Sequence, residues 1–303
     1  MTPLFSVSNN DMMIFIQQIL NGLMLGCTYA LVALGYTLIF GLLRLIHMAH
    51  GEVLMIGAYV ALTIIAYLSG NLFIAMIGSM ILTAALGITI YFASIRRVEK
   101  GGHLSPLVST IGVAIILQEI FTKLFTGEKI AFPETIVSKN ITLGDISFNT
   151  VQIFIIVLSF ATMFILYRVL KGTMIGKCIR AVSENTVTAQ LLGVPVLWII
   201  VVTFGIASVL AGIAGVLVGI AYHNVYPLMG IEIGLKGLAI IIIGGMGNAR
   251  GAMFSGLLVG LMEIFSVAYI SSSYKDAFTF GLMVVILIWK PGGLFGTVAE
   301  KRT

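Results

Sequence analysis

Charged side chains are scarce in this sequence. Asp, Glu, Lys and Arg make up only 10% of its 303 residues, whereas an ordinary soluble domain has roughly a quarter. Hydrophobic residues make up 59%, and the mean hydropathy is +1.11. Because so few charges could not cover the surface of a soluble protein, the composition excludes that class and predicts an all-α integral membrane protein.

Features that would divide the chain or crosslink it are scarce too. No Pro/Ser-rich linker or low-complexity tract occurs, so we expect one transmembrane domain over residues 1–303. Of the two cysteines, Cys27 lies in an apolar run and Cys178 in a basic loop, so no disulfide between them is expected. The opening MTPLFSVSNND has no Lys or Arg, unlike a secretory signal, and we expect it to be retained.

Enzyme motifs are missing as well. The nearest match to a phosphate-binding loop, Gly172 to Cys178, has one residue too few between its glycines. It also has a Cys where Ser or Thr should hold magnesium, and there is no Gly-x-Ser-x-Gly elbow. We therefore predict that the chain is not an enzyme and that it has no catalytic residue, metal or cofactor.

Long apolar runs are what the sequence does contain. A transmembrane helix needs roughly 17–25 mostly apolar residues. We predict a polytopic helical bundle of about nine spans, within a range of eight to ten: 13–43, 51–68, 72–94, 106–125, 151–168, 197–220, 233–247, 252–270 and 277–290.

Two of these spans have unusual lengths. Residues 13–43 would form a helix of about 46 Å, so we expect a tilt, a break near Asn21 and Gly22, or a start along the membrane interface. Residues 233–247 are too few to cross straight, and we predict a short or broken crossing there rather than a re-entrant half-helix.

The basic residues predict the orientation. If Arg96 and Arg97 face the cytoplasm, alternation places 12 of the 17 basic residues on that side, as the positive-inside rule expects. The net charge of +5 then reflects the orientation of the chain in the membrane and does not indicate nucleic-acid binding. The N-terminus is predicted outside and the C-terminus in the cytoplasm. The basic residues predicted outside are Lys123, Lys129, Lys139, Lys236 and Lys275.

The sequence also predicts an outer cap and close helix packing. The outer loop of about 126–150 mixes turn-forming and β-branched residues, which predicts a short irregular or hairpin-like cap. Small residues recur at four-residue spacing, which on helices lets backbones approach closely. The pairs are Gly22 and Gly26, Gly215 and Gly219, Gly247 and Gly251, and Gly256 and Gly260.

One substantial charged segment, about 170–196, lies between two spans and could dock a soluble partner. Ser183 could cap a helix of two to three turns, with Glu184 in its first turn and Gly193 at its end. An ordinary connector at the membrane surface fits the same pattern. The candidate docking residues are Arg180, Ala181, Ser183, Glu184, Val187, Leu191 and Gly193.

Polar residues near or inside spans form a second set of candidates. Two histidines at i,i+3 are a weak metal pattern, so the break around them is interpreted as a polar hinge. Glu263 lies in the middle of a span, where it could line a translocation path or form a structural hydrogen bond. The candidates for a translocation path or polar hinge are His47, His50, Glu52, Asn248, Arg250 and Glu263.

Several blocks of sequence carry a family resemblance. They are NGLMLGCTYALVALGYTLIFGLLRLIHMAHGEVLMIGAYVA from Asn21 to Ala61, IRAVSENTVTAQLLGV from Ile179 to Val194, GLKGLAIIIIGGMGNARGAMFSGLLVG from Gly234 to Gly260, and IWKPGGLFG from Ile288 to Gly296. Together they cover nearly the whole chain, and they resemble branched-chain amino acid ABC permeases of the LivH type.

The resemblance implies an inner-membrane permease for Leu, Ile or Val that works by alternating access. Its implied partners are a second homologous permease, two cytoplasmic ATP-binding subunits, an external substrate-binding protein and membrane lipid, with no nucleic acid. The family's ATPase-contacting loop maps onto Ile179 to Val194, where Ala181, Glu184 and Gly193 match its Ala, acidic and Gly elements. The sequence departs from the commoner Glu-Ala-Ala form of that loop at Asn185 and Thr186.

Three alternatives remain open at this point. A permease of the same family for urea, short amides or other amino acids would share these motifs. An ion-driven secondary transporter would use broken helices and mid-membrane acids. An intramembrane enzyme built on His47, His50 and Glu52 would require a bound metal.

Overall fold

The computed structural model describes residues 9–98, 101–102, 104–134, 136, 139–143 and 146–296. Within them the α-helices are α1 Asn9–Leu43, α2 His50–Ile64, α3 Leu72–Ile90, α4 Arg96–Val98, α5 Leu104–Phe125, α6 Thr150–Gly172, α7 Met174–Glu184, α8 Thr186–Leu191, α9 Val196–Tyr222, α10 Met229–Gly244, α11 Ala249–Tyr269 and α12 Lys275–Trp289. The π-helical turns Ile65–Ser69 and Tyr91–Ile95 extend α2 and α3, and the 3-10 turn Ser272–Tyr274 precedes α12. The strands are β1 Ile130–Ala131, β2 Asn140–Leu143, β3 Ile146–Asn149 and β4 Asn224–Val225.

The helices are long enough to make a multi-pass membrane protein. Eight helical segments in the described residues, from Met12–Leu43 to Ser272–Trp289, are long and apolar enough to cross a membrane. α10 has 16 residues and rises about 24 Å. It runs from the end of the bundle that holds β4 to the opposite end, where α11 begins. The predicted all-α bundle with about nine spans, in a range of eight to ten, is confirmed. Of the short crossing predicted at 233–247, residues 233–244 lie in α10, which is one continuous helix.

The two ends of the bundle have different structures. At one end, termed the strand face, β1 pairs antiparallel with β4, and β2 pairs with β3 in a hairpin. The hairpin-like cap predicted for the loop 126–150 is therefore confirmed in its described part. The other end, termed the helical face, carries α7, α8 and the turn between α10 and α11.

The first helix lies at the centre of the bundle. α1 packs against α11, α9, α10 and α6. It is continuous, so of the three alternatives predicted for it, the break near Asn21 does not occur. The Asn21 side chain is paired, because Gln152 Nε2 on α6 donates to its Oδ1 at 2.6 Å. A polar residue with a partner on the neighbouring helix does not need to interrupt its own helix.

The small residues of α1 and α11 let the two backbones touch. A Cβ added to Gly260 would lie 2.2 Å from the Gly26 nitrogen, and one added to Gly256 would lie 2.6 Å from the Ala30 Cα. The predicted close packing is confirmed for this pair of helices. The Gly247 and Gly251 pair is different, because Gly247 lies in the turn before α11 with a φ of +84°, so the helical strip predicted there is wrong.

Candidate functional site

A cluster of charged residues lies inside the bundle. The Lys236 ammonium of α10 lies 2.8 Å from Glu263 Oε1 on α11 and 2.9 Å from Asp276 Oδ1 at the start of α12. The Tyr29 hydroxyl of α1 donates to Glu263 Oε2 at 3.0 Å. These four residues, termed the Lys236 cluster, connect four helices.

The balance of charge in the Lys236 cluster is negative. Lys236 and Glu263 are buried, whereas the Asp276 side chain is 54% exposed. One ammonium is therefore paired with two carboxylates, and of these only that of Asp276 is exposed to solvent. A charge buried in an apolar interior is stable only with a partner, so Lys236 and Glu263 depend on each other.

Lys236 is the partner of Glu263 that sequence reasoning missed. The sequence analysis grouped Lys236 with the basic residues of the external side and named no partner for it. In the structure it is buried in the bundle, where Glu263 on the next helix compensates its charge. A lysine inside the apolar run of α10 was the signal that could have found it. Tyr29 and Asp276 had no comparable signal, since their roles follow only from the packing of α1 and α12.

A small pocket opens beside this cluster near the strand face. Its volume is 130 Å³, and its lining residues include Lys129, Lys236, Lys275 and Glu232. The Tyr226 hydroxyl donates to Glu232 Oε2 at 2.5 Å. Burial, and then this hydrogen bond, raise the pKa of Tyr226, so its hydroxyl stays protonated. The pocket thus presents both signs of charge in a small volume.

The connection between α1 and α2 turns back into the bundle. Arg44 leaves α1 with a φ of +56° and is exposed, whereas His47 and His50 are buried. A Cβ on Gly35 would lie 2.4 Å from His50 Nε2, so α2 begins beside the last third of α1. The break lies where it was predicted, and its histidines and Glu52 are buried within the bundle.

The polar groups of this break are packed among aromatic rings. The ring centres of His47 and His50 are 6.1 Å apart, and His50 meets Tyr36 edge-on at 4.6 Å. Neither ring nitrogen of His47, nor Glu52 Oε2, has a hydrogen-bond partner among the described residues. Within the same residues, no three or more His, Cys, Asp or Glu side chains converge as a metal site requires.

The charged segment on the helical face forms two short helices, α7 and α8, where one was predicted. Ser183 lies in the last turn of α7, and its hydroxyl donates to the Arg180 carbonyl at 2.8 Å. The helix caps are instead Thr173, which accepts from the Gly176 N–H, and Asn185, which accepts from the Thr188 N–H at 2.9 Å. The predicted cap at Ser183 is wrong, and Glu184 ends a helix instead of starting one.

The reason for this difference is the apolar face of α7. Ile179 and Val182 are buried, so α7 packs on the bundle with these side chains. The helix therefore begins before Ser183, at Met174, and continues through it to Glu184. Gly193, with a φ of +83°, follows α8 as predicted. Ala181 is half-buried, whereas Arg180 and Glu184 are exposed. Val187 and Leu191 are 68% and 83% exposed, which leaves two apolar side chains uncovered on a short capped helix.

A large cavity on the helical face brings several predicted residues together. Its volume is 1020 Å³, and Arg180 and Ser183 of the docking segment line it along with Asn248 and Arg250. Asn248 caps α11 by accepting from the Arg250 and Gly251 N–H groups, each at 3.1 Å. It also donates to the Phe295 carbonyl at 2.9 Å, so its role in the structure is to hold this turn.

The candidates for a translocation path or hinge do not form one site. Glu263 belongs to the Lys236 cluster, His47, His50 and Glu52 lie in the buried break, and Asn248 and Arg250 lie at the cavity on the helical face. The structure therefore separates this predicted set into three places with different environments.

Comparison with known proteins places this architecture in a family. The family described as the branched-chain amino acid transport system permease component matches residues 18–287. The high-affinity branched-chain amino acid transport system permease protein BraD of Pseudomonas aeruginosa is 36% identical, over 93% of this chain and 96% of that protein. The corresponding LivH protein of Escherichia coli is 34% identical over the same shares of both chains. A family match over most of the chain, relatives of nearly the same length and a multi-pass helical bundle agree: the chain belongs to the family of branched-chain amino acid transport permeases.

Proposed function

We propose that this chain is the membrane-spanning subunit of an ATP-driven importer in a bacterial-type inner membrane, and that it translocates Leu, Ile or Val. The observation that carries the proposal is the 36% identity, over 93% of the chain, to a permease named for branched-chain amino acid transport. In this proposal the chain is not itself an enzyme. A second homologous permease completes the path, two cytoplasmic subunits hydrolyse ATP, and an external binding protein delivers the amino acid.

The distribution of basic residues supports one orientation. Arg44, Arg96, Arg180 and Arg250 belong to the helical face or to the helix ends on that side, and basic residues between spans are enriched in the cytoplasm. The helical face is then cytoplasmic and the strand face external. The N-terminus lies outside and the C-terminus in the cytoplasm.

The helices α7 and α8 are the proposed docking site for an ATP-binding subunit. Buried Ile179 and Val182 attach α7 to the bundle, while exposed Val187 and Leu191 offer apolar side chains to a partner. Apolar anchors on a rigid element are what a protein interface needs at its centre. Because α7 follows directly from α6, movement of the docked subunit would be transmitted to a membrane-spanning helix.

The pocket beside the Lys236 cluster is the proposed place where an amino acid first meets charged groups. An α-amino acid has one carboxylate and one ammonium, and the pocket presents lysines and Glu232 to them. A volume of 130 Å³ limits the occupant to a small molecule.

The Lys236 cluster also defines which helices move together. Separating a buried ion pair leaves uncompensated charge at a cost of about 3–5 kcal/mol. α10 and α11 are joined by such a pair, so they shift as one unit when the path opens to one side and then to the other.

The test of this function is a variant of the docking segment. Glu184→Lys combined with Leu191→Asp places a reversed charge and a new charge on the exposed surface, so co-purification of the ATP-binding subunits and leucine uptake should both fall. Glu128→Lys, the same charge reversal on the exposed strand face, should leave co-purification of the ATP-binding subunits unchanged. Normal co-purification and uptake in the double variant, with normal thermal unfolding, would refute the docking assignment.

A further inference from the structure

The cavity on the helical face, termed the basic cavity, is lined by four cationic side chains. They are Arg44 at the end of α1, Lys171 at the end of α6, Arg180 on α7 and Arg250 on α11. Its lining residues in the described structure include no Asp or Glu. None of the four forms a salt bridge within the described part of the chain, where the ion pairs involve Lys236 alone. The cavity therefore concentrates positive charge that the chain itself does not neutralise.

Two of these cations approach the same neutral oxygen. The Lys171 ammonium donates to the Tyr167 hydroxyl at 3.1 Å, and the Arg250 guanidinium interacts with that hydroxyl too. Two like charges from different helices thus lie close together around one phenol. Their repulsion falls when an anion binds between them. Arg96 and Arg97 are adjacent in sequence and exposed, but they do not line the basic cavity.

The walls of the basic cavity are held by backbone contacts. The Leu294 N–H donates to the Ile243 carbonyl at 2.8 Å, and the Phe295 N–H donates to the Gly244 carbonyl at 3.0 Å. Asn248 ties the same segment to the start of α11. The N-terminus of α11 lies at the cavity, and its dipole adds positive partial charge to that of the side chains.

Part of the remaining lining is apolar and comes from the ends of membrane-spanning helices. Phe40 of α1, Leu170 of α6 and Leu287 of α12 contribute to it. A cavity with cations on one part and spanning-helix side chains on another matches a molecule with an anionic head and apolar chains. Basic pockets between transmembrane helices bind the headgroups of anionic lipids in this way.

We propose that the basic cavity binds a phosphate group, and that an anionic phospholipid supplies it. Lys171 and Arg250 hold the phosphate, Arg44 and Arg180 add long-range attraction, and the apolar wall accommodates the first part of the acyl chains. This proposal does not depend on which solute the permease carries. An acidic loop of a protein partner fits less well, because the walls include apolar side chains at the ends of spanning helices.

The proposal is tested by lipid binding to the full-length protein, purified with its co-purifying subunits and examined by native mass spectrometry. Phosphatidylglycerol, phosphatidylcholine and the soluble glycerol 3-phosphate are titrated separately. The test variant is Lys171→Gln with Arg250→Gln. The control is Arg96→Gln with Arg97→Gln, which removes the same charge from the same side of the membrane without touching the cavity.

The expected result is preferential binding of phosphatidylglycerol over phosphatidylcholine by the wild type and the control. In the test variant its affinity should fall at least about tenfold, equivalent to about 1.4 kcal/mol. Arg44→Gln, which changes an exposed residue, should lower the affinity for phosphatidylglycerol to a smaller extent. This variant replaces the double variant in the test if the double variant does not fold. Binding of glycerol 3-phosphate as tight as that of the lipid, with the same dependence on Lys171 and Arg250, would keep the phosphate site but assign it to a soluble ligand.

Two results would overturn the proposal. The first is unchanged lipid preference in the test variant, which would place any lipid binding elsewhere. The second is loss of the ATP-binding subunits from that variant with unchanged lipid binding, which would make the cavity part of a protein interface. Both differ from failure of the proposed transport function, since lipid binding is measured without transport.

Discussion

The Lys236 ammonium and the Glu263 carboxylate lie 2.8 Å apart inside the bundle, although 27 residues separate them in the sequence. They belong to consecutive membrane-spanning helices, and each would be unstable in an apolar interior without the other. This pair explains how two isolated charges occur within otherwise apolar helices, and it joins α10 to α11.

The pair predicts unequal effects of removing each partner. Lys236→Met leaves the buried Glu263 carboxylate without a cation and should lower the free energy of unfolding by about 3–5 kcal/mol. Glu263→Leu should cost less, because Lys236 keeps its contact with Asp276. The double variant Lys236→Met with Glu263→Leu should be more stable than Lys236→Met alone. Denaturant unfolding of the three purified variants measures this, and strictly additive losses would argue against a coupled pair.

A role for Glu263 in translocation predicts a loss of transport beyond any loss of protein. We expect Glu263→Leu to lower leucine uptake per molecule in the membrane, because the charge that joins α11 to α1 and α10 is gone. Ser255→Ala, a buried position on the same helix, is the matched control and should transport normally. Full uptake by Glu263→Leu would leave the residue with a structural role only.

The contact between α1 and α11 predicts a steric effect that depends on position. Gly260→Ala places a methyl 2.2 Å from the Gly26 backbone nitrogen, so the two helices must separate, at a cost of about 1–3 kcal/mol. Gly112→Ala on α5 meets nothing within 4 Å and should be neutral or slightly stabilising. Thermal unfolding compares the two, and an equal effect at both positions would contradict the close packing.

The helix caps of the docking segment predict a difference between neighbouring residues. Asn185→Ala removes the side chain that accepts from the Thr188 N–H and should destabilise α8 by about 0.5–2 kcal/mol. Co-purification of the ATP-binding subunits should weaken accordingly. Ser183→Ala removes a hydroxyl that caps no helix and should have little effect. The reverse order of effects would restore Ser183 as the cap.

The spans could be predicted from sequence because their cause is local. A run of apolar residues long enough to cross the bilayer marks a helix whatever its neighbours are, and all nine predicted runs became helices within a few residues of their predicted bounds. The glycine spacing of α1 and α11 was equally informative, since Gly26 and Gly260 meet directly.

The environments of single polar residues could not be predicted in the same way. Whether Lys236 lies in water or inside the bundle depends on Glu263 being adjacent in space, which no local pattern contains. The burial of the His50 side chain depends on Gly35, which has no side chain and so leaves room for the imidazole ring. The choice between Ser183 and Asn185 as a cap was decided by Ile179 and Val182, which extend α7 to cover the bundle. In each case a contact between distant segments decided the outcome.

The central claim is that a separate ATPase, docked on α7 and α8, drives this permease. Its most direct test is uptake of radiolabelled leucine into proteoliposomes that contain the complete complex with its binding protein. The account predicts accumulation only with ATP on the side of the helical face, and none when the ATP-binding subunits are inactivated while ion gradients are kept. Accumulation by this chain alone, driven by an ion gradient without nucleotide, would contradict it.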